Sequence, residues 1–216
     1  MDLKILFIKF LKMYFRSPFT CIVSGSTGAG KTEWIKKFIE HREDLISPPP
    51  ADILYCFGQI NPTILQLHKK GVPIFEGVPT REMLVTKRKN LLLILDDLML
   101  SIDVDFLNDL FTRISHNSNI SIVFVVQTLF SPSTKVIRQN CHYFVLLRNP
   151  QGQKQISILG SQIFPGRLKY FHESYKDATS KLFSYLVIDL HPQSDEEERL
   201  VTNIFPGEEL TYYLPI

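Results

Sequence analysis

Eight residues, Gly25-Ser26-Thr27-Gly28-Ala29-Gly30-Lys31-Thr32, constrain this chain more than any other stretch, because their flanks restrict how they can be used. Phe19 to Val23 reads as a short buried strand, and Glu33 to Glu40 as a helix with Trp34, Ile35, Phe38 and Ile39 on its apolar face. A strand, a glycine-rich turn and a helix in that order aim a row of backbone N–H groups and a helix N-terminus at one point outside the sheet. The glycines permit conformations and close approaches that a side chain would block. With the spacing GxxxxGK[ST], Lys31 is placed to reach the β- and γ-phosphates of a polyphosphate, and the Thr32 hydroxyl to ligate Mg²⁺. The expectation from these residues is the binding of a nucleoside triphosphate.

The 216 residues suffice for one substantial α/β domain and not comfortably for two. A hydrophobic share of 44%, a charged share of 21% and a formal charge of +2 describe a globular chain whose overall charge does not announce a nucleic-acid partner. Cys21, Cys56 and Cys141 form no CxxC pair and read as small buried hydrophobes of a reducing compartment, and the six histidines show no metal-ligand spacing. Leu3 to Phe15 is apolar but is interrupted by Lys4, Lys9 and Lys12, with Arg16 following. That is too short for a membrane span, and no small-residue cleavage site follows. Residues 1–16 are therefore set apart as an apolar and basic extension, an amphipathic helix or strand covering the edge of the domain, with a membrane- or partner-binding helix as the alternative. Residues 17–216 form the single domain.

Strands are expected at Ala51 to Phe57, Leu91 to Leu95, Ile120 to Val126, Tyr143 to Leu147 and Ser184 to Ile188. A short strand at Val72 to Phe75 is a further candidate. Helices are expected at Ile64 to Lys70, Asp105 to Arg113 and Glu173 to Ser180, and Asp195 to Glu198 reads as a solvated loop. Unbroken apolar runs such as Leu91 to Leu95 suit central parallel strands covered on both faces. The fold expected is a mainly parallel α/β sheet with helices on both faces.

Leu91 to Leu95 ends in Asp96-Asp97, 65 residues after Lys31. A carboxylate at the C-terminal end of a central strand holds the water shell of Mg²⁺ opposite the loop threonine, and Asp96 is assigned that role. Asp97 is placed to polarise an attacking water. Gln127, directly after the strand Ile120 to Val126, is placed to contact a γ-phosphate or that water. Together these point to the additional-strand (ASCE) class of P-loop NTPases, which includes RecA-like motors. No NKxD-type base-recognition sequence or arginine-rich lid supports a small GTPase or a nucleotide kinase.

The order GSTGAGKT, LLLILDDL, FTRISHNSNISIVFVVQTLF and VIRQNCHYFVLLRNP resembles the FtsK/HerA-type DNA-packaging ATPases. The poxvirus-like branch fits best, in the form carried by Polinton/Maverick elements and their adintovirus relatives. ISILGSQIFPG, ESYKDATS, YLVIDL and LVTNIFPGEE extend the resemblance over about residues 17–215. It implies a RecA-like ATPase that assembles as a homo-oligomeric ring, a hexamer or pentamer, and drives double-stranded DNA into a capsid without sequence specificity. Its implied partners are ATP, Mg²⁺, DNA and capsid or portal-vertex proteins, with no membrane. Its implied location is intracellular, in a host nucleus or cytoplasmic virus factory or with the virion. The phosphate loop falls on Gly25 to Thr32, the metal acid on Asp96 and the strand-end sensor on Gln127.

The same resemblance makes Arg138, in Ile137-Arg138-Gln139-Asn140, the first candidate for an arginine acting in trans, and Arg113 the second. Asp97 stands where many relatives carry Glu, one methylene longer. Lys69-Lys70, Lys87-Arg88-Lys89 and Arg167 with Lys169 are the basic clusters available for DNA phosphates. The alternative functions are a helicase-like or plasmid-transfer ATPase and a nucleotide-binding scaffold without turnover.

Overall fold

A computed structural model describes residues 4–7, 13–85 and 90–215. The chain opens with β1 (Lys4–Phe7) and β2 (Phe15–Arg16), then the loop-bearing unit of β3 (Thr20–Ser24) and α1 (Lys31–Glu40). Next come α2 (Arg42–Leu45), β4 (Ile46–Ser47), β5 (Asp52–Phe57) and α3 (Pro62–Lys69). They are followed by β6 (Ile74–Glu76), α4 (Arg81–Val85) and β7 (Leu91–Asp96). From α5 (Val104–Asp109) the chain passes through a π-helical turn at Leu110–Ile114 into α6 (Ser115–Asn117) and β8 (Ile120–Val126). The remainder carries α7 (Lys135–Gln139), β9 (Tyr143–Leu147), α8 (Gln153–Ile163) and α9 (Leu168–Ala178). It ends with β10 (Tyr185–Asp189), β11 (Leu200–Thr202) and β12 (Thr211–Leu214).

Among the described residues, ten strands form one sheet in the order β1-β12-β11-β10-β9-β3-β8-β7-β5-β6. From β9 to β6 every neighbouring pair is parallel. The expected parallel sheet is this part of the structure. The other flank makes the sheet mixed: β10, β11, β12 and β1 are added antiparallel. The connections 190–199 and 203–210 are too short for the crossover that parallel pairing needs. The acidic run read as a loop contains a 3₁₀ turn at Glu196–Glu198 inside the first of them.

Successive strand residues point to opposite faces, which gives two cores. One face carries Ile22, Leu93, Leu95, Phe124 and Leu146 and is covered by Leu107, Phe111, Ile137, Leu159 and Phe171 of the later helices. The other carries Val23, Ile94, Val125, Val145 and Tyr185 under Trp34, Ile35 and Phe38 of α1. Phe15 is fully buried in this second core, its ring centroid 4.8 Å from Phe38 and 4.6 Å from Tyr143. Residues just before the expected domain start at residue 17 therefore share its packing, and β1 forms the sheet's outer edge beside β12. The basic run Lys87-Arg88-Lys89 lies outside the described residues. No helix among the described residues is long and apolar enough to cross a membrane.

Where α8 crosses α9, Gly160 meets the fully buried Phe171 so closely that a Cβ there would overlap the ring. Alanine gains about 1 kcal/mol over glycine in a helix interior. Overpacking a ring that cannot withdraw costs about 1–3 kcal/mol. Gly160→Ala is therefore expected to lower stability by about 1 kcal/mol net, read as a lower urea midpoint with an unchanged slope. A raised midpoint would show that the helices part freely at this crossing.

Candidate nucleotide site

β3 ends at Ser24 between β8 and β9, and the glycine loop rises from there at the C-terminal edge of the parallel strands. Gly28 and Gly30 have φ of 77° and 97°, left-handed values that glycine adopts without a Cβ penalty. Gly30 caps α1 through its carbonyl, which accepts from the Trp34 N–H at 2.9 Å, and no side chain caps the helix start. The Lys31 ammonium folds back over the loop and donates to the carbonyls of Gly25 at 2.8 Å and Ser26 at 3.0 Å. Desolvation lowers the Lys31 pKa, while the charges of Asp96 and Asp97 act in the opposite direction.

The sheet register aligns Val23 with Val125 and Val125 with Asp96. Asp96 thus stands two strand spacings from β3, about 9–10 Å, with β8 between. Its carboxylate is buried, at 7% exposure. Burial raises its pKa, against a hydrogen bond donated by the Tyr55 hydroxyl at 2.6 Å, with Asp97 raising it further and Lys31 opposing. Tyr55 pairs directly with Ile94, so its phenol reaches diagonally along one face to the carboxylate two residues on.

Asp97 is exposed and adopts φ 56°. Its peptide is seated on Gly58: the Gly58 N–H donates to the Asp96 carbonyl at 2.9 Å, and a Cβ at Gly58 would collide with the Asp97 carbonyl. Gln127 is exposed after β8, its amide oxygen 3.4 Å from the Thr27 hydroxyl on the loop. Ser26, Thr27, Gln127, Asn149 and Gln155 line a cavity of about 730 Å³ beside the loop. Arg148, at the end of β9, accepts from both the Ser26 N–H and hydroxyl through its carbonyl.

The structure therefore brings together the loop residues Gly25 to Thr32 with Asp96, Asp97 and Gln127. The two arginines are held elsewhere in their own chain. The Arg138 guanidinium donates to the Leu129 carbonyl at 2.8 Å and the Thr134 hydroxyl at 2.7 Å, and lies 3.9 Å from the Phe130 ring centroid. Arg113, on the π-helical turn, pairs with Asp109, which also pairs with Arg81. Of the basic clusters, Lys70 pairs with Glu40 at 2.6 Å and Lys169 with Glu173 at 3.7 Å. Tyr55 and Gly58 were missed from the sequence. A tyrosine inside the apolar strand ADILYCF was the available signal, since a buried hydroxyl needs a partner.

No protein-family model matches the chain, and no curated protein matches it in sequence. Among solved structures, the cytoplasmic domain of the Thermomonospora curvata type VII secretion ATPase EccC is similar over 91% of this chain, with a TM-score of 0.53 and 14% identity. This chain spans 26% of that one. A KaiC-like protein, PH0186, from Pyrococcus horikoshii aligns over 92% of this chain and 91% of its own, at TM-score 0.48 and 12% identity. The EccC similarity establishes a shared fold with one part of an ATPase.

The donor set fits a hydrated magnesium ion, for which hard oxygen ligands are the rule: the Thr32 hydroxyl and the Asp96 carboxylate could hold it. Asp96 holds a cation only when ionised, and the Tyr55 bond favours that form. Tyr55→Phe removes it, so the acid limb of Mg²⁺-dependent binding of a fluorescent ATP analogue is expected to move to higher pH. A titration upward from the ordinary carboxylate range, about pH 4, reads the limb. A limb that stays in place would show that Tyr55 does not govern Asp96.

Proposed function

We propose that this chain is the ATPase subunit of a ring-shaped motor that drives double-stranded DNA into a viral or virus-like capsid. One observation carries the nucleotide part of this reading: Lys31, Asp96 and Gln127 come from three separate segments and surround one glycine loop at a single sheet edge. The strand β8 between β3 and β7 supports the additional-strand class. DNA packaging rests on the ordered words of the sequence resemblance, and the three buried free cysteines suit an intracellular, reducing location.

In this reading Lys31 exchanges the Gly25 and Ser26 carbonyls for the β- and γ-phosphates. Thr32 and Asp96 would hold a hydrated Mg²⁺, which when bound would neutralise charge developing on the phosphate oxygens. Gln127 senses the γ-phosphate through its position beside Thr27. Asp97, exposed and seated on Gly58, orients the attacking water. A ring neighbour supplies the arginine, and Arg113 is favoured over Arg138. Leu100, 99% exposed in the turn after Asp97, offers an apolar contact for that neighbour.

The test is ATP hydrolysis by the purified protein with and without long duplex DNA. DNA-stimulated turnover is expected, falling at least about a hundredfold in a folded Lys31→Ala variant. Turnover preserved in that variant overturns the loop as the active site. Turnover indifferent to DNA, or strand separation of a forked substrate without movement on intact duplex, overturns the packaging reading in favour of another P-loop ATPase.

A further inference from the structure

Phe183 is an exposed phenylalanine, 54% accessible, in the turn between α9 and β10. The turn is tied by the Ser184 hydroxyl, which donates to the Lys181 carbonyl at 2.8 Å. Phe183 adopts φ 63°. Among the described residues, the other non-glycine residues with positive φ are Asn90, Asp97, Asn119 and Asn203, the types that tolerate this region. Phe183 has no such tolerance; the Lys181–Ser184 hydrogen bonds hold the turn that carries it, and its ring is in contact with a neighbouring segment. That contact is the phosphate loop itself: a Cβ on Gly30 would stand 2.7 Å from Phe183 Cδ1. Gly30 therefore leaves room for an aromatic ring at the start of α1.

The direction of a bound nucleotide follows from the sheet order. Asp96 and Gln127, the groups for the γ-phosphate and its metal, lie on the β8 and β7 side of β3. The phosphates then run back towards the first turn of α1, where Thr32 lies, and the nucleoside emerges on the side of β9 and β10. The turn bearing Phe183 leads into β10. α1 leans to the same side, with Trp34 against Tyr185 at 5.9 Å between ring centroids.

We propose that the Phe183 ring is the stacking platform for the base of the bound nucleoside triphosphate, with Leu182 beside it as apolar flank. This rests on the nucleotide-binding reading of the loop. Stacking uses the π-face common to all bases, so it supplies affinity with little choice between adenine and guanine.

Calorimetric titration with Mg-ATP and with magnesium tripolyphosphate separates the base from the phosphates. Phe183→Asn keeps a residue suited to the turn and removes the ring, and Phe183→Trp keeps an aromatic face. Wild type is expected to bind ATP more tightly than tripolyphosphate. Phe183→Asn is expected to weaken ATP about tenfold and leave tripolyphosphate unchanged, with Phe183→Trp retaining the wild-type ATP affinity. Equal ATP affinity in wild type and Phe183→Asn, or a parallel loss of tripolyphosphate, overturns the stacking role while leaving the loop as a phosphate site. If wild type binds neither ligand, the nucleotide reading itself fails, and the role of Phe183 with it.

Discussion

A carboxylate with 7% exposure, Asp96, is the constraint on which the arrangement of this sheet edge depends. Burying an ion carries an effective penalty of several kcal/mol, and hydrogen bonds to charged groups each return about 1.5–3 kcal/mol. Tyr55 and the Asp97 N–H supply two such bonds, and the Lys31 charge opposes the remaining desolvation. Each of these partners is fixed by a different element: β5, the turn after β7, and the start of α1. Parallel pairing with β8 and β5 places the end of β7 where all three converge. The same desolvation acts on Lys31, so the two groups are best accommodated together, facing a shared space that a polyphosphate and its cation would enter.

Much of this edge was legible in the residues because it is local. The glycine loop, the strand before it, the helix after it and the apolar run ending in Asp96-Asp97 are contiguous words whose chemistry follows from spacing. Gln127 was legible for the same reason, as a polar residue ending a fully apolar strand. Tyr55 and Gly58 were not, since their importance lies in register: Tyr55 acquires its role from pairing with Ile94, and Gly58 from meeting the Asp97 carbonyl across the sheet. On the antiparallel flank β10 was expected at Ser184 to Ile188, while its direction and the strands β11 and β12 were hidden. β11 and β12 are short, and the polar connections around them carry a stronger local signal than the strands do. α8 escaped because its fully buried stripe, Ile156, Leu159 and Gly160, is narrow and is broken by a glycine, a poor helix former.

Positive φ outside glycine falls at both ends of the strands, and Asn203 takes it after β11 at the same edge as Phe183. Asn90 and Asn119 take positive φ immediately before β7 and β8, where asparagine turns the chain into the sheet at little expense. Asp97 and Phe183 take it at the opposite edge, beside the glycine loop. Aspartate tolerates this region, whereas a bulky residue such as Phe183 pays about 1–3 kcal/mol for it. For Asp97 the determinant is Gly58 beneath its carbonyl. For Phe183 the Lys181–Ser184 hydrogen bonds hold the turn, and the ring rests against Gly30.

The two arginines differ in what it would take to release them. Arg138 gives two charge-assisted hydrogen bonds, each about 1.5–3 kcal/mol, and a close ring contact worth about 0.5–2 kcal/mol. Withdrawing it would remove one of two side-chain donors on the Leu129 carbonyl, the other being the Thr134 hydroxyl, and loosen the segment just after Gln127. An arginine supplied across a subunit boundary accelerates hydrolysis by about 10³ or more, equivalent to about 4 kcal/mol. Disengaging Arg138 would cancel a gain of that size. Arg113 is 73% exposed even while paired with Asp109, and Arg81 remains to satisfy that carboxylate when Arg113 turns away. Asp109 thus acts as a shared anchor, and of the two arginines Arg113 is the one more readily released to the neighbouring subunit of the proposed ring.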